Sequence, residues 1–161
     1  MNFKAIAVAA ALLASAGAHA DNYVVDLTGG PTNWTGGFTA THGAGNFTDT
    51  FTFTNFSGKG LAAGFAANYA YKGHDINFTS ATLNGITLDL TNTGKESAVR
   101  FEDLAVNGPL TLIVSGVSIG SASYSGTLDL VAAPVPEPTT YGMMLGGMGL
   151  LAFVARRRKQ G

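Results

Sequence analysis

Gly116-Val117-Ser118-Ile119-Gly120 sets a serine between two glycines in the pattern of a nucleophile elbow. An elbow serine attacks an acyl carbon, which requires a strand before it, a helix behind it, and then an acid and a histidine. The apolar run Leu110–Val114 meets the first requirement, but Ser121-Ala122-Ser123-Tyr124 opens another strand and no histidine follows His74. The segment reads as a hairpin turn, and serine hydrolysis is not expected. His42 and His74, with Asp49, Asp75 and Asp89, supply metal-ligand chemistry but none of the short ligand spacings that mark a metal site. Both histidines read as water-exposed loop residues, and no metal is expected. Two distant carboxylates can flank a glycosidic bond, yet nothing selects a pair, and Asp89 and Asp129 fall on outward strand positions. There is no P-loop and no dinucleotide fingerprint. No catalytic residue and no cofactor is therefore assigned.

Aromatic rings offer a different chemistry, stacking on sugars. Trp34, in the loop-like stretch Pro31-Thr32-Asn33-Trp34-Thr35-Gly36-Gly37, is the best placed for it, with Tyr69 and Tyr71 as further platforms. The competing reading makes Trp34 a buried anchor. Tyr124 shares its strand register with Leu128 and Leu130 and should point inward. Asn33, Asn46, Asn55 and Asn77 each begin an Asn-x-Ser/Thr triplet, a pattern that Thr-rich and Asn-rich β-sequence produces by chance; only Asn77 has an acid two places earlier.

These residues sit on elements of period two. In Phe47-Thr48-Asp49-Thr50-Phe51-Thr52-Phe53 the odd positions carry Phe, Asp, Phe, Phe and the even ones carry Thr. Alternation of this kind puts the aromatics on one sheet face and the threonines on the other. Asn84-Gly85, between Leu83 and Ile86, signals a tight hairpin. Further strands are predicted at Tyr23–Leu27, Gly36–Thr41, Gly64–Tyr71, Ile76–Thr79, Ala98–Leu104, Leu110–Val114 and Tyr124–Leu130. Eight or nine short antiparallel strands separated by glycine clusters predict an all-β domain. A β-sandwich of jelly-roll or Ig-like type is preferred over a barrel. Asp49 is the anomaly, because a carboxylate facing a core costs several kcal/mol unless it is paired. Its expected role is to cap backbone amides at a bulge or to pair with Arg100 or Lys59; a calcium ligand is the alternative.

The two ends of the chain have other compositions. Lys4, the apolar Ala5–Ala16 and the small-x-small Ala18-His19-Ala20 form a secretory leader, with cleavage expected before Asp21. From Asp21 to Ala133 lie nine acidic and four basic residues, a net charge of −5 that the whole-chain value of −1 conceals. So acidic a domain repels phosphate, and nucleic acid is not expected as a partner. With no cysteine in the chain, the core must hold the exported fold without disulfides. Beyond the domain, Pro134, Pro136 and Pro138 stiffen an extended spacer. An uncharged run from Tyr141 to Ala155 follows, 15 residues long. At 1.5 Å per residue it makes a helix of about 22 Å, a marginal transmembrane span against about 30 Å of hydrocarbon. Arg156-Arg157-Arg158-Lys159 close it as a basic stop favouring the cytoplasmic side. Gly142 and Gly146 could admit a partner helix closely.

Pro136, Glu137 and Pro138, the apolar run to Ala155 and the basic Arg156–Lys159 together closely resemble the PEP-CTERM sorting signal of Gram-negative bacteria that make exopolysaccharide. The resemblance implies recognition by a membrane-embedded exosortase, which removes the helix and passes the protein to the envelope, surface or extracellular matrix. Phe47-x-Asp49-x-Phe51 is similar to the signature of the FxDxF group of such proteins, as are Asn77–Gly85 and Ser123–Leu128, and that likeness adds no chemistry. The expectation is a leader at 1–20, a β-domain at 21–133 and a sorting signal at 134–161, in a non-enzymatic exported protein. The alternatives are a module that binds or adheres to exopolysaccharide through Trp34, and a permanently anchored single-pass membrane protein.

Overall fold

The computed structural model describes residues 19–134 and 138–158. The leader up to Ala18, Pro136 and Glu137 of the proline motif, and Lys159 lie outside the described residues. The described residues form eleven strands and one helix: β1 (His19–Asp26), β2 (Thr28–Gly29), β3 (Asn33–His42), β4 (Gly45–Thr54), β5 (Lys59–Tyr69), β6 (Asp75–Leu83), β7 (Ile86–Thr87), β8 (Asp89–Asn92), β9 (Glu96–Asn107), β10 (Leu110–Ile119), β11 (Ala122–Ala132) and α1 (Pro138–Arg158). The all-β expectation holds, in two antiparallel-rich sheets. The strand count exceeds it because β2, β7 and β8, of two to four residues, are too short to show alternation.

One sheet has the order β1-β4-β10-β6-β7 and the other β2-β3-β11-β5-β9-β8. The expectation of purely antiparallel pairing fails at one place: β1 runs parallel to β4, with Asp21 opposite Asp49 and Tyr23 opposite Phe51. The path of the chain explains this. After β1 it crosses to the second sheet for β3 and then returns to the first for β4, so two reversals leave β1 and β4 pointing the same way. Ala20, expected as the last residue of the leader, is opposite Thr48 within this pairing.

The inward residues of both sheets build one core. Phe47, Phe51 and Phe53 from β4 and Ile76, Phe78, Leu112 and Val114 from its neighbours meet Phe38, Val99, Tyr124, Leu128 and Leu130 from the second sheet. Phe51, Leu110, Val114 and Leu128 are 0 % exposed. The predicted hairpin is present: Leu83 faces Ile86, and Asn84 and Gly85 take φ of 49° and 81°, which suits Asn and Gly. At Gly116 a Cβ would lie 2.7 Å from both the Asn77 carbonyl oxygen and Phe47 Cζ, so only glycine lets that ring lie against β10.

The tail is helical, as expected, and its described side chains are exposed on every side. Met143, Leu150 and Leu151 are 80 %, 69 % and 71 % exposed, so the run is no core element of the β-domain. The expectation of a transmembrane helix is corrected: among the described residues, no helix is long and apolar enough to cross a membrane. Four glycines (Gly142, Gly146, Gly147 and Gly149) dilute the apolar run, and three arginines occupy its last turn.

Candidate functional site

The anomalous carboxylate is in the core. Asp49 is 0 % exposed, on the same face of β4 as Phe47 and Phe51. Neither expected role for it holds. β4 is in unbroken register with both neighbours across Asp49, so there is no bulge to cap. Arg100 instead pairs with Glu96 at 3.0 Å, one helical-turn spacing away but within strand β9. The partners of Asp49 come from the second sheet. His42 Nε2 lies 2.7 Å from Asp49 Oδ2, and the Tyr124 hydroxyl donates to the same oxygen at 2.5 Å. Among the described residues, Asp49 Oδ1 is the buried side-chain polar atom with no hydrogen-bond partner.

Aromatic packing fixes the geometry. The His42 ring stacks on Phe47 at 4.1 Å and 9°. Phe78 meets the face of Tyr124 edge-on at 5.2 Å, and Phe51 does so at 6.2 Å. Burial first, and then the bond to Asp49, push the Tyr124 phenol well above its ordinary value, so it stays a proton donor. The cluster reaches the surface through β1. Asp21 is exposed, stands opposite Asp49, and receives a long bond of 3.5 Å from the Tyr23 hydroxyl. Tyr23 stacks on Phe51 at 4.9 Å, and burial, followed by the Asp49 and Asp21 charges, pushes its phenol up as well.

The other sequence candidates separate. His42, expected in an exposed loop, is 4 % exposed at the end of β3. The pattern Phe38-x-Ala40-x-His42 carries the inward period one residue past the predicted end of that strand, and this signal would have found it. His74 is exposed, as expected, and its Nδ1 accepts the Ser121 backbone amide at 3.1 Å. Ser118 is not in the turn itself: β10 runs on to Ile119, and Ser118, 2 % exposed, donates to the Gly120 carbonyl at 3.2 Å. A serine so enclosed offers no attacking oxygen. Trp34 is in β3 rather than in a loop, half-buried, with its ring edge-on to Phe56 at 6.4 Å. It lines an open groove of about 330 Å³ with Thr28, Asn33 and Asp129. Tyr69 and Tyr71 are both 68 % exposed. Asp21 and Tyr124 belong to the cluster and no spacing rule pointed to either, because Asp21 arrives through the pairing of β1 with β4 and Tyr124 from the facing sheet.

The second candidate is linear. Pro134 ends the described β-domain, α1 begins at Pro138, and Arg156, Arg157 and Arg158 complete its last turn, where cations suit the helix dipole. Residues 134–159 match the family model of the PEP-CTERM protein-sorting motif, and the chain carries that signal. The motif supports an exosortase-targeted, secreted protein with the exosortase as its processing partner. No curated protein matches the chain.

Proposed function

We propose that this chain is a non-catalytic cargo: a β-sandwich exported behind its leader, presented by its exposed tail to an exosortase, and released to the cell surface or extracellular matrix. The observation that carries this reading is the sorting-motif match at residues 134–159 on a helix that the domain leaves exposed. In it, Pro136, Glu137 and Pro138 are the recognised motif and Arg156–Lys159 are the basic end that closes the signal. With four glycines, and three arginines in its last turn, the 21-residue helix is not apolar enough for a permanent single-pass anchor, which suits a segment that is removed. Gly142 and Gly146 offer the enzyme's helices a small-residue face. Membership of the FxDxF group accords with the burial of Phe47, Asp49 and Phe51 on a single face. The test is intact mass of the protein by cell fraction, in cells with and without the exosortase. The expected result is loss of the C-terminal peptide in the first case and retention in the second, and retention in the Glu137→Ala variant. Mature protein with its tail intact in exosortase-containing cells would refute the reading.

A second reading, a module that binds exopolysaccharide, draws on the exposed rings of Tyr69 and Tyr71 and on the groove beside Trp34. Sugar stacking needs open ring faces, which Tyr69 offers and which Tyr71 offers on the side not covered by Lys72 Nζ, 5.2 Å from its ring centre. Binding to an exopolysaccharide preparation that survives Tyr69→Ala, Tyr71→Ala and Trp34→Ala together would eliminate it.

A further inference from the structure

Asp21, His42 and Asp49 are contributed by three strands, β1, β3 and β4. One ligand atom from each lies within 4.8 Å of the other two. We propose that they form a divalent-cation site that staples the N-terminal strand to the core. Three observations converge on it.

The first is donor chemistry. Two carboxylates and an imidazole suit a borderline ion such as zinc better than calcium, which takes oxygen ligands only. Around zinc, ligand atoms at about 2.0–2.2 Å stand roughly 3.4 Å apart in tetrahedral geometry. Asp21, being exposed, can close the remaining distance by a side-chain rotation. The second is the unmet valence at Asp49. Its Oδ1 is buried without a hydrogen-bond partner, so the innermost ligand has a lone pair to give. The third is charge. Two carboxyl groups stand opposite each other across a strand pair, and among the described residues neither Asp21 nor Asp49 pairs with a lysine or arginine. A cation between them takes His42 Nε2 from its 2.7 Å bond to Asp49 Oδ2 and supplies the positive partner that Asp21 lacks.

The surroundings fit a held ligand set. The Tyr124 hydroxyl orients the Asp49 carboxylate, and Phe47 fixes the plane of His42, as outer contacts do around bound metals. The consequence falls on β1, which among the described residues is a strand at the sheet edge with β4 as its one strand neighbour. In a chain without cysteine, a cation bridging Asp21 to Asp49 and His42 ties that strand to both sheets.

The experiment strips the full-length chain with EDTA, titrates it with Zn²⁺, and follows hydrogen exchange of the amides of residues 21–26. The expected result is one zinc per chain, slower exchange in β1 on binding, and affinity at least about tenfold lower in Asp21→Asn. Asp21 is exposed, so this variant keeps its fold, and Asp89→Asn on β8 of the other sheet should bind like wild type. Absence of stoichiometric binding, an Asp21→Asn variant that binds as wild type does, or zinc that leaves exchange in β1 unchanged would each overturn the proposal.

Discussion

Tyr124→Phe takes one oxygen and its proton out of the centre of the domain and leaves the ring in place. Tyr124 is 2 % exposed and Asp49 is 0 % exposed, so no water can replace the lost donor. Asp49 Oδ2 then keeps His42 Nε2 at 2.7 Å and loses the hydroxyl at 2.5 Å. A hydrogen bond to a charged group contributes about 1.5–3 kcal/mol, and the variant opens almost no cavity, so the expected loss at neutral pH is in that range. Urea unfolding of the full-length protein measures it as a lower midpoint at an unchanged slope. Alkaline pH supplies an independent check with a definite sign. Burial and the bond to Asp49 raise the Tyr124 pKa above the ordinary 10.0, so the folded state keeps a proton that the unfolded state releases. The stability due to this group is complete below about pH 10 and falls above it, by a slope approaching about 1.36 kcal/mol per pH unit. Tyr23, raised in the same direction, is present in both proteins and cancels in their difference. The gap between wild type and Tyr124→Phe should therefore narrow by roughly that slope above pH 10. Equal midpoints at pH 7, or stability curves that stay parallel between about pH 9 and 11, would refute the reasoning.

Gly116→Ala places a Cβ 2.7 Å from the Asn77 carbonyl oxygen and from Phe47 Cζ, a clash that should cost about 1–3 kcal/mol in urea unfolding. Because Phe47 carries the His42 ring, the variant should also shift the imidazole resonances of His42 in NMR spectra, while those of the exposed His74 stay in place. Trp34→Ala removes a half-buried ring that packs on Phe56, and should lower stability by about 1–3 kcal/mol, less than full burial would give. The protein should resist labelling by a fluorophosphonate, since Ser118 is 2 % exposed; covalent modification at Ser118 would reopen the hydrolase reading.

Residue patterns made the strands legible where alternation ran for five or more residues. β4 declared its inward face through Phe47, Phe51 and Phe53, and Asn84-Gly85 declared its turn through the positive φ that both residues tolerate. The partner of Asp49 was not legible, because period two gives the face of a residue and not what lies across the core. His42 is seven positions from Asp49, yet they meet only because the chain changes sheets between β3 and β4. Tyr124 is 75 positions away and meets the same oxygen from β11. The parallel placement of β1 was hidden for the same reason, since relative direction depends on the number of chain reversals between two strands that pair, and no residue type encodes which strands pair.

The sorting tail was legible for the opposite reason. The sorting motif is a linear pattern, a proline-flanked acid, an apolar run and a basic end in order along residues 134–159, so the order of residue types is enough to find it. Recognition of this kind requires the segment to stay out of the fold, and composition supplies that separation. The proline-rich spacer after β11 cannot extend a ladder, because each proline lacks the amide that pairing needs. The helix beyond it has apolar side chains on all sides and thus no single face to lay on a sheet. The β-domain buries its own inward faces through residues of both sheets and has no need of the tail to complete its core. Removing residues 134–161 should therefore leave the unfolding midpoint and slope of the β-domain unchanged. A truncated domain that unfolds at markedly lower urea would mean that the tail is part of the fold, and the division into cargo and address would fail with it.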